Sequence, residues 1–108
     1  MFDFHHVLAT RKNDPCIVLS GSCREYSLDT FNLAMNQAME KATKAVYLDL
    51  SATRLLDSAS LGTIVSHFNL LRAQGKRLVL VNPSAPCRHL LEITSLSRVL
   101  EIETDEES

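Results

Sequence analysis

The chain reads as a single α/β domain built on a mainly parallel sheet of four to five strands, with an antiparallel strand added at the N-terminus. Three observations predict it. From Pro15 onward, aliphatic and β-branched runs alternate with segments whose apolar residues recur at helical spacing, the pattern of right-handed β-α-β crossovers. Leu78 to Val81 is apolar at every position, as expected of a strand covered on both faces in a parallel sheet. The chain has 108 residues, 45% of them hydrophobic, which suffices for one packed core and not for two.

Phe2 to Ala9 is a short apolar patchwork, and Arg11-Lys12-Asn13-Asp14 is a polar turn before Pro15 to Leu19. This predicts a hairpin, with Pro15 at the start of its second strand where a missing N–H is tolerated. Ser20 to Leu28 has no period and reads as a polar loop. Phe31, Ala34, Met35, Ala38, Met39 and Ala42 fall on one face of a helix, with Asp29 or Ser27 as N-cap. Ala45 to Leu50 is the next strand, followed by a polar turn, Ser51-Ala52-Thr53-Arg54.

A second helix is predicted from about Ser58 to Ala73, because Leu61, Ile64, Val65, Phe68 and Leu71 recur at spacings of three, four and seven. Leu61, Ile64, Phe68 and Leu71 are expected to face the core, and His67 and Arg72 to face solvent. Gly75 suits the left-handed residue that ends such a helix. Asn82-Pro83-Ser84 stops the following strand, and Ser84 caps a third helix whose first turn accepts Pro86, with Leu90, Leu91 and Thr94 directed inward. Val99 to Ile102 forms a last short strand or helical turn. The domain is expected to span residues 1–102, with 103–108 as an acidic, disordered tail.

The strand–loop–helix unit from Val46 to Leu71 organises the rest. It places Asp57 and Ser58 just before the amphipathic helix, so the Ser58 hydroxyl is expected at or beside the helix N-terminus. A polar side chain there caps the helix; a phosphate there meets backbone N–H groups and the positive end of the dipole. Asp57 either orients the serine hydroxyl or caps the helix itself. Gly62, in the opening turns where glycine costs stability, points to a close backbone approach by a neighbouring strand or by a partner.

Leu48-Asp49-Leu50-Ser51, Asp57-Ser58-Ala59-Ser60-Leu61-Gly62 and Gly75-Lys76-Arg77-Leu78-Val79-Leu80-Val81-Asn82-Pro83 together resemble the signature of STAS domains, specifically the free-standing anti-sigma-factor antagonists. The resemblance runs from about Cys16 to Ile102. It implies strands laid down nearly in sequence order with the main helices on one face. It also implies that Ser58 is phosphorylated by a partner protein kinase, since in that family a serine at this position is the acceptor. The implied partner surface comprises Arg54, Asp57, Ser58, Ala59, Ser60 and Gly62. Ala59 and Ser60 depart from the family pattern, which usually has a second hydroxyl residue and then a glycine there. Ser60, at a glycine position, ranks below Ser58 as an acceptor.

By this resemblance the unphosphorylated protein binds a serine protein kinase of the anti-sigma type, phosphorylation releases it, and a metal-dependent serine phosphatase resets it. The alternative within the family is a STAS subunit of a membrane transporter complex. A small enzyme is the remaining alternative, and the residues argue against it. Ser58 and His67, taken as nucleophile and base, would lie nine residues apart on one helix, about 13 Å along its axis. No G-x-S-x-G elbow, Walker loop, dinucleotide fingerprint or H-E-x-x-H occurs. No catalytic residue, metal ligand or cofactor is therefore expected; His5 and His6 would point to opposite faces of a strand.

Composition narrows the setting further. Five of the thirteen acidic residues lie in the last eight positions, leaving the body about +3, too weak and too scattered for a nucleic-acid footprint. The longest aliphatic run is far short of the roughly 18 residues of a membrane span. The N-terminus lacks the basic start and apolar stretch of a signal peptide. Cys16, Cys23 and Cys87 are odd in number and lack metal-ligand spacing, which suits reduced thiols. A cytoplasmic location is the expectation.

Overall fold

The computed structural model describes residues 4–105. Its elements follow the order β1 (His5–Arg11), β2 (Asp14–Cys23), a 3-10 turn (Glu25–Ser27), α1 (Leu28–Lys41), β3 (Ala45–Leu56), α2 (Ser58–Ala73), β4 (Arg77–Val81), α3 (Ala85–Ile93), a second 3-10 turn (Leu96–Arg98) and β5 (Glu101–Glu103). The five strands lie side by side in chain order, β1 antiparallel to β2 and all later pairs parallel. Because each parallel crossover steps the same way along the sheet and has the same hand, the helices come to lie on one face.

That face holds the main core. Phe31 and Met35 of α1, Ile64 and Leu71 of α2 and Leu91 of α3 meet Ile17, Leu19, Val46, Leu48, Leu50, Leu78 and Leu80 of the sheet, all fully buried. The alternate residues of the same strands, Cys16, Ala45, Tyr47, Val79 and Val81, form a smaller buried cluster on the other face. A flat sheet would hold its first and fifth strands about 19 Å apart. Yet Arg11 of β1 donates to Glu103 of β5 at 2.9 and 3.2 Å, and to Asp105 at 2.6 Å, with its guanidinium 5.8 Å from the Tyr47 ring. The two edges therefore lean toward each other over Tyr47. Glu103 and Asp105 are thus tied to the sheet, while residues 106–108 of the expected tail lie outside the described residues.

Several elements differ from the sequence reading. Ser51 to Arg54 is not a turn: β3 continues through it to Leu56, paired with an extended β2 that runs to Cys23 rather than ending at Leu19. Thr53 is buried and its hydroxyl donates to Leu19 O at 3.1 Å, so pairing with a neighbour overrides polar composition. Ser27 and Ser84 hold the expected N-cap positions of α1 and α3, but neither side chain caps its helix: Ser27 makes no cap bond and Ser84 gives its hydroxyl to Thr53 O. Thr94 is exposed, its hydroxyl turned back to Leu90 O. The part of the first apolar patch before Phe4 lies outside the described residues.

Helix α2 is turned slightly from the expected orientation. Its buried stripe is Ser60, Leu61, Ile64, His67 and Leu71, while Phe68 is half-buried under Arg72, whose guanidinium sits 5.9 Å from its ring. His67, expected outside, is 5% exposed. Its position three residues after Ile64 and four before Leu71 puts it on the inward stripe, and its Nδ1 lies 2.9 Å from Thr63 O. Gly75, at φ +74°, ends the helix as expected: its amide donates to Arg72 O and that of Lys76 to Leu71 O, a left-handed closure.

Candidate functional site

Strand β3 pairs with β4 only as far as Asp49, then runs on to Leu56 with β2 alone. This two-stranded extension, in which five residues of β2 run along a bulged β3, carries the following residues about 17 Å past the last β3–β4 pair. Asp57 and the start of α2 sit at its end.

Asp57 is the N-cap of α2. Its Oδ1 accepts the Ser60 amide at 2.8 Å, its Oδ2 accepts the Glu25 amide at 2.8 Å, and its own amide donates to Cys23 O at 3.2 Å. Partial burial tends to raise the Asp57 pKa, but the amide and side chain of Ser60, the Glu25 amide and the charge of Arg24 outweigh it and hold the carboxyl below its ordinary value. The helix end therefore already carries a carboxylate. Of the four amides that a helix start leaves without an intrahelical acceptor, those of Asp57 and Ser60 are taken, and those of Ser58 and Ala59 remain among the described residues.

Ser58 is the first residue of α2 and is exposed; Ala59 is half-buried. Ser60 turns the other way, fully buried, with its hydroxyl donating to Cys23 O at 2.8 Å, so it locks the loop to the end of β2 and presents no hydroxyl to solvent. Gly62 is exposed one turn above Ser58, on the same helix face. Among the described residues nothing lies within 4 Å of the place a Cβ would occupy, so no described strand approaches it and that half of the expectation does not hold. Arg54 is exposed on the β3 extension. The structure thus brings Ser58, Ala59, Gly62, Asp57 and Arg54 to one end of the molecule and withdraws Ser60. The residue that sequence reasoning missed is Glu25, since nothing in Arg24-Glu25-Tyr26 signals a bond to a carboxylate 32 positions later.

The three thiols, of Cys16, Cys23 and Cys87, lie inside the fold, and burial pushes each above its ordinary pKa. Among the described residues no three His, Cys, Asp or Glu side chains cluster as metal ligands. No helix of the described residues is long and apolar enough to cross a membrane.

A model of the STAS domain family matches residues 7–108. The chain belongs to the STAS domain family. This STAS domain is 24% identical over 89 residues to the anti-sigma F factor antagonist of Paenibacillus polymyxa, covering 82% of this chain and 76% of that one. Its fold superposes on the anti-sigma factor antagonist SpoIIAA in its unphosphorylated form with a TM-score of 0.78, at 18% identity over 95% of this chain and 90% of the other. It also superposes on the Bacillus cell fate determinant SpoIIAA in its phosphorylated form with a TM-score of 0.70, at 20% identity over 96% and 92% of the two chains. At these identities the solved structures establish the shared fold, a five-stranded mixed sheet with three helices.

Proposed function

We propose that this STAS domain is a partner-switching regulator in the manner of an anti-sigma-factor antagonist. Unphosphorylated, it binds a serine protein kinase that doubles as an anti-sigma factor, through the end of the molecule that carries Ser58. The kinase transfers the γ-phosphoryl group of its own ATP to the Ser58 hydroxyl, the domain is released, and a metal-dependent serine phosphatase hydrolyses the phosphoserine to restore the binding form. The domain itself performs no catalysis and requires no cofactor.

One observation carries this reading: Ser58 is an exposed serine at the head of a helix, held out beyond the common edge of the sheet by the paired ends of β2 and β3. A kinase can reach such a hydroxyl without unfolding its surroundings. The relatives named above support the family role, and the occurrence of SpoIIAA in unphosphorylated and phosphorylated forms supports phosphorylation as the switch.

The release step follows from charge. Phosphorylation adds about −1.5 to −2 charges next to a carboxylate that is already ionised. Two remaining amides and the helix dipole offset part of that within the free domain. In a desolvated interface without new cationic partners the same group meets repulsion worth several kcal/mol. Incubation with the cognate kinase and ATP, followed by mapping of the modified peptide, tests the assignment. Phosphate is expected at Ser58 and absent from Ser58→Ala; undiminished incorporation into Ser58→Ala overturns it.

A further inference from the structure

The Asp57 carboxylate adds a second tie between two pieces of chain that also meet at Cys23 O, which accepts the Asp57 amide and the Ser60 hydroxyl. One oxygen holds the Ser60 amide of α2, and the other holds the Glu25 amide, where the 3-10 turn Glu25–Ser27 begins. That turn leads directly into α1, and it carries Tyr26, a large side chain left 50% exposed. Tyrosine is one of the residue types enriched among interface hot spots. Glu25 and Arg24 are exposed beside it.

We propose that Asp57 couples Ser58 to this turn, so that negative charge on Ser58 alters a second patch of the kinase-binding surface, centred on Tyr26. A phosphate on Ser58 sits one residue from Asp57 and competes for amides at the same helix end, the Ser60 amide included. Its charge repels the carboxylate, and any rotation of Asp57 away from it withdraws the acceptor from the Glu25 amide. The turn is then held to the site through the bonds at Cys23 O, two residues before Glu25, and the backbone of Glu25 and Tyr26 shifts as the Glu25 amide loses the carboxylate. The release of the partner thus has two components, charge at Ser58 and a displaced anchor at Tyr26. The use of this coupling in signalling rests on the reading of Ser58 given above, but the coupling itself is a property of the free domain.

The experiment installs phosphoserine at position 58 during translation, without a kinase, and compares amide resonances of the labelled protein with those of the unmodified chain. The amides of Glu25 and Tyr26 are expected to shift at least about threefold more than that of Asn13, an exposed residue of the β1–β2 turn. Two variants isolate the route. Asp57→Asn removes the charge that the phosphate repels. Glu25→Pro deletes the donor together with the Glu25 carboxylate, so Glu25→Ala, which keeps the donor, is its control; the backbone accepts proline, since Arg24 is extended (φ −131°, ψ 176°), the conformation favoured before proline. In Asp57→Asn and in Glu25→Pro, but not in Glu25→Ala, the response of Tyr26 to phosphoserine is expected to fall to that of Asn13; should the Asn variant fail to fold, Glu25→Pro decides. Glu25 and Tyr26 moving no more than Asn13, or Tyr26 responding undiminished in Glu25→Pro, overturns the coupling and leaves the role of Ser58 standing. A kinase that ignores Ser58 overturns that role and leaves the coupling standing.

Discussion

Replacing Gly62 by alanine separates what the fold requires from what a partner requires. Gly62 lies inside α2 at an ordinary negative φ, with open space where a Cβ would project. Alanine there meets no clash and restores helix propensity, so the variant is expected to be more stable by about 0.5–1 kcal/mol. For a domain of this size that raises Tm by about 2–6 °C. Binding should move the other way. Gly62 is exposed one helical turn from Ser58, and a methyl group forced into a close contact between backbones costs about 1–3 kcal/mol, roughly a 5- to 150-fold loss of affinity for the kinase. Thermal melts and calorimetric titration of the same preparation read both effects. A destabilised Gly62→Ala would show that the helix is packed more tightly at this point than the structure has it. A stabilised variant that binds as well as the wild type would place Gly62 outside the interface.

Other predictions concern the scaffold that positions the site. Asp14 is 4% exposed and accepts from the amides of Thr43, Lys44 and Ala45 at 2.7, 3.1 and 3.1 Å and from the Thr43 hydroxyl at 3.0 Å, so Asp14→Asn should cost about 2–4 kcal/mol at neutral pH in denaturant melts. The Thr43 amide foremost, opposed by burial and aided by the other donors, holds its carboxyl below the ordinary value. A depressed folded pKa stabilises fully above the unfolded value of about 3.9, so the gap between wild type and Asp14→Asn should narrow as the pH falls below about 4; a gap independent of pH would refute the assignment. Leu71→Ala, at a fully buried position, should cost about 2–5 kcal/mol, and more than Phe68→Ala at its half-buried one. The reverse order would mean that α2 is rotated.

The elements with strong internal periods were legible from residues alone: α1 from its Phe31, Ala34, Met35, Ala38 stripe, β4 from its unbroken apolar run, and the end of α2 from Gly75. Strand order and the one-sided placement of helices came from the family resemblance, because periodicity does not encode which strand pairs with which. The two missed strand segments share a cause. Ser51 to Arg54 is polar and Ser20 to Cys23 has no period, yet each completes the other as a strand, an effect visible only when both are brought together. His67 is hard to place from sequence because its polarity argues against the inward stripe on which its spacing puts it, where the Thr63 carbonyl gives its ring a partner. At the site, the position of Ser58 could be read from the motif, whereas the inward turn of Ser60 and the bond from Glu25 to Asp57 depend on the carbonyl of Cys23 and on a turn far away in the chain.

The central claim is that charge at Ser58 governs partner binding without disturbing the fold. Its most direct test is the affinity of the cognate kinase for the wild type, Ser58→Ala and Ser58→Asp, each paired with a denaturant melt. Ser58→Ala is expected to bind and stay bound in the presence of ATP. Ser58→Asp should keep its stability within about 1 kcal/mol, as for other surface changes, and bind at least about tenfold more weakly. Ser58→Asp binding as tightly as wild type, or unfolding the domain, would contradict the account.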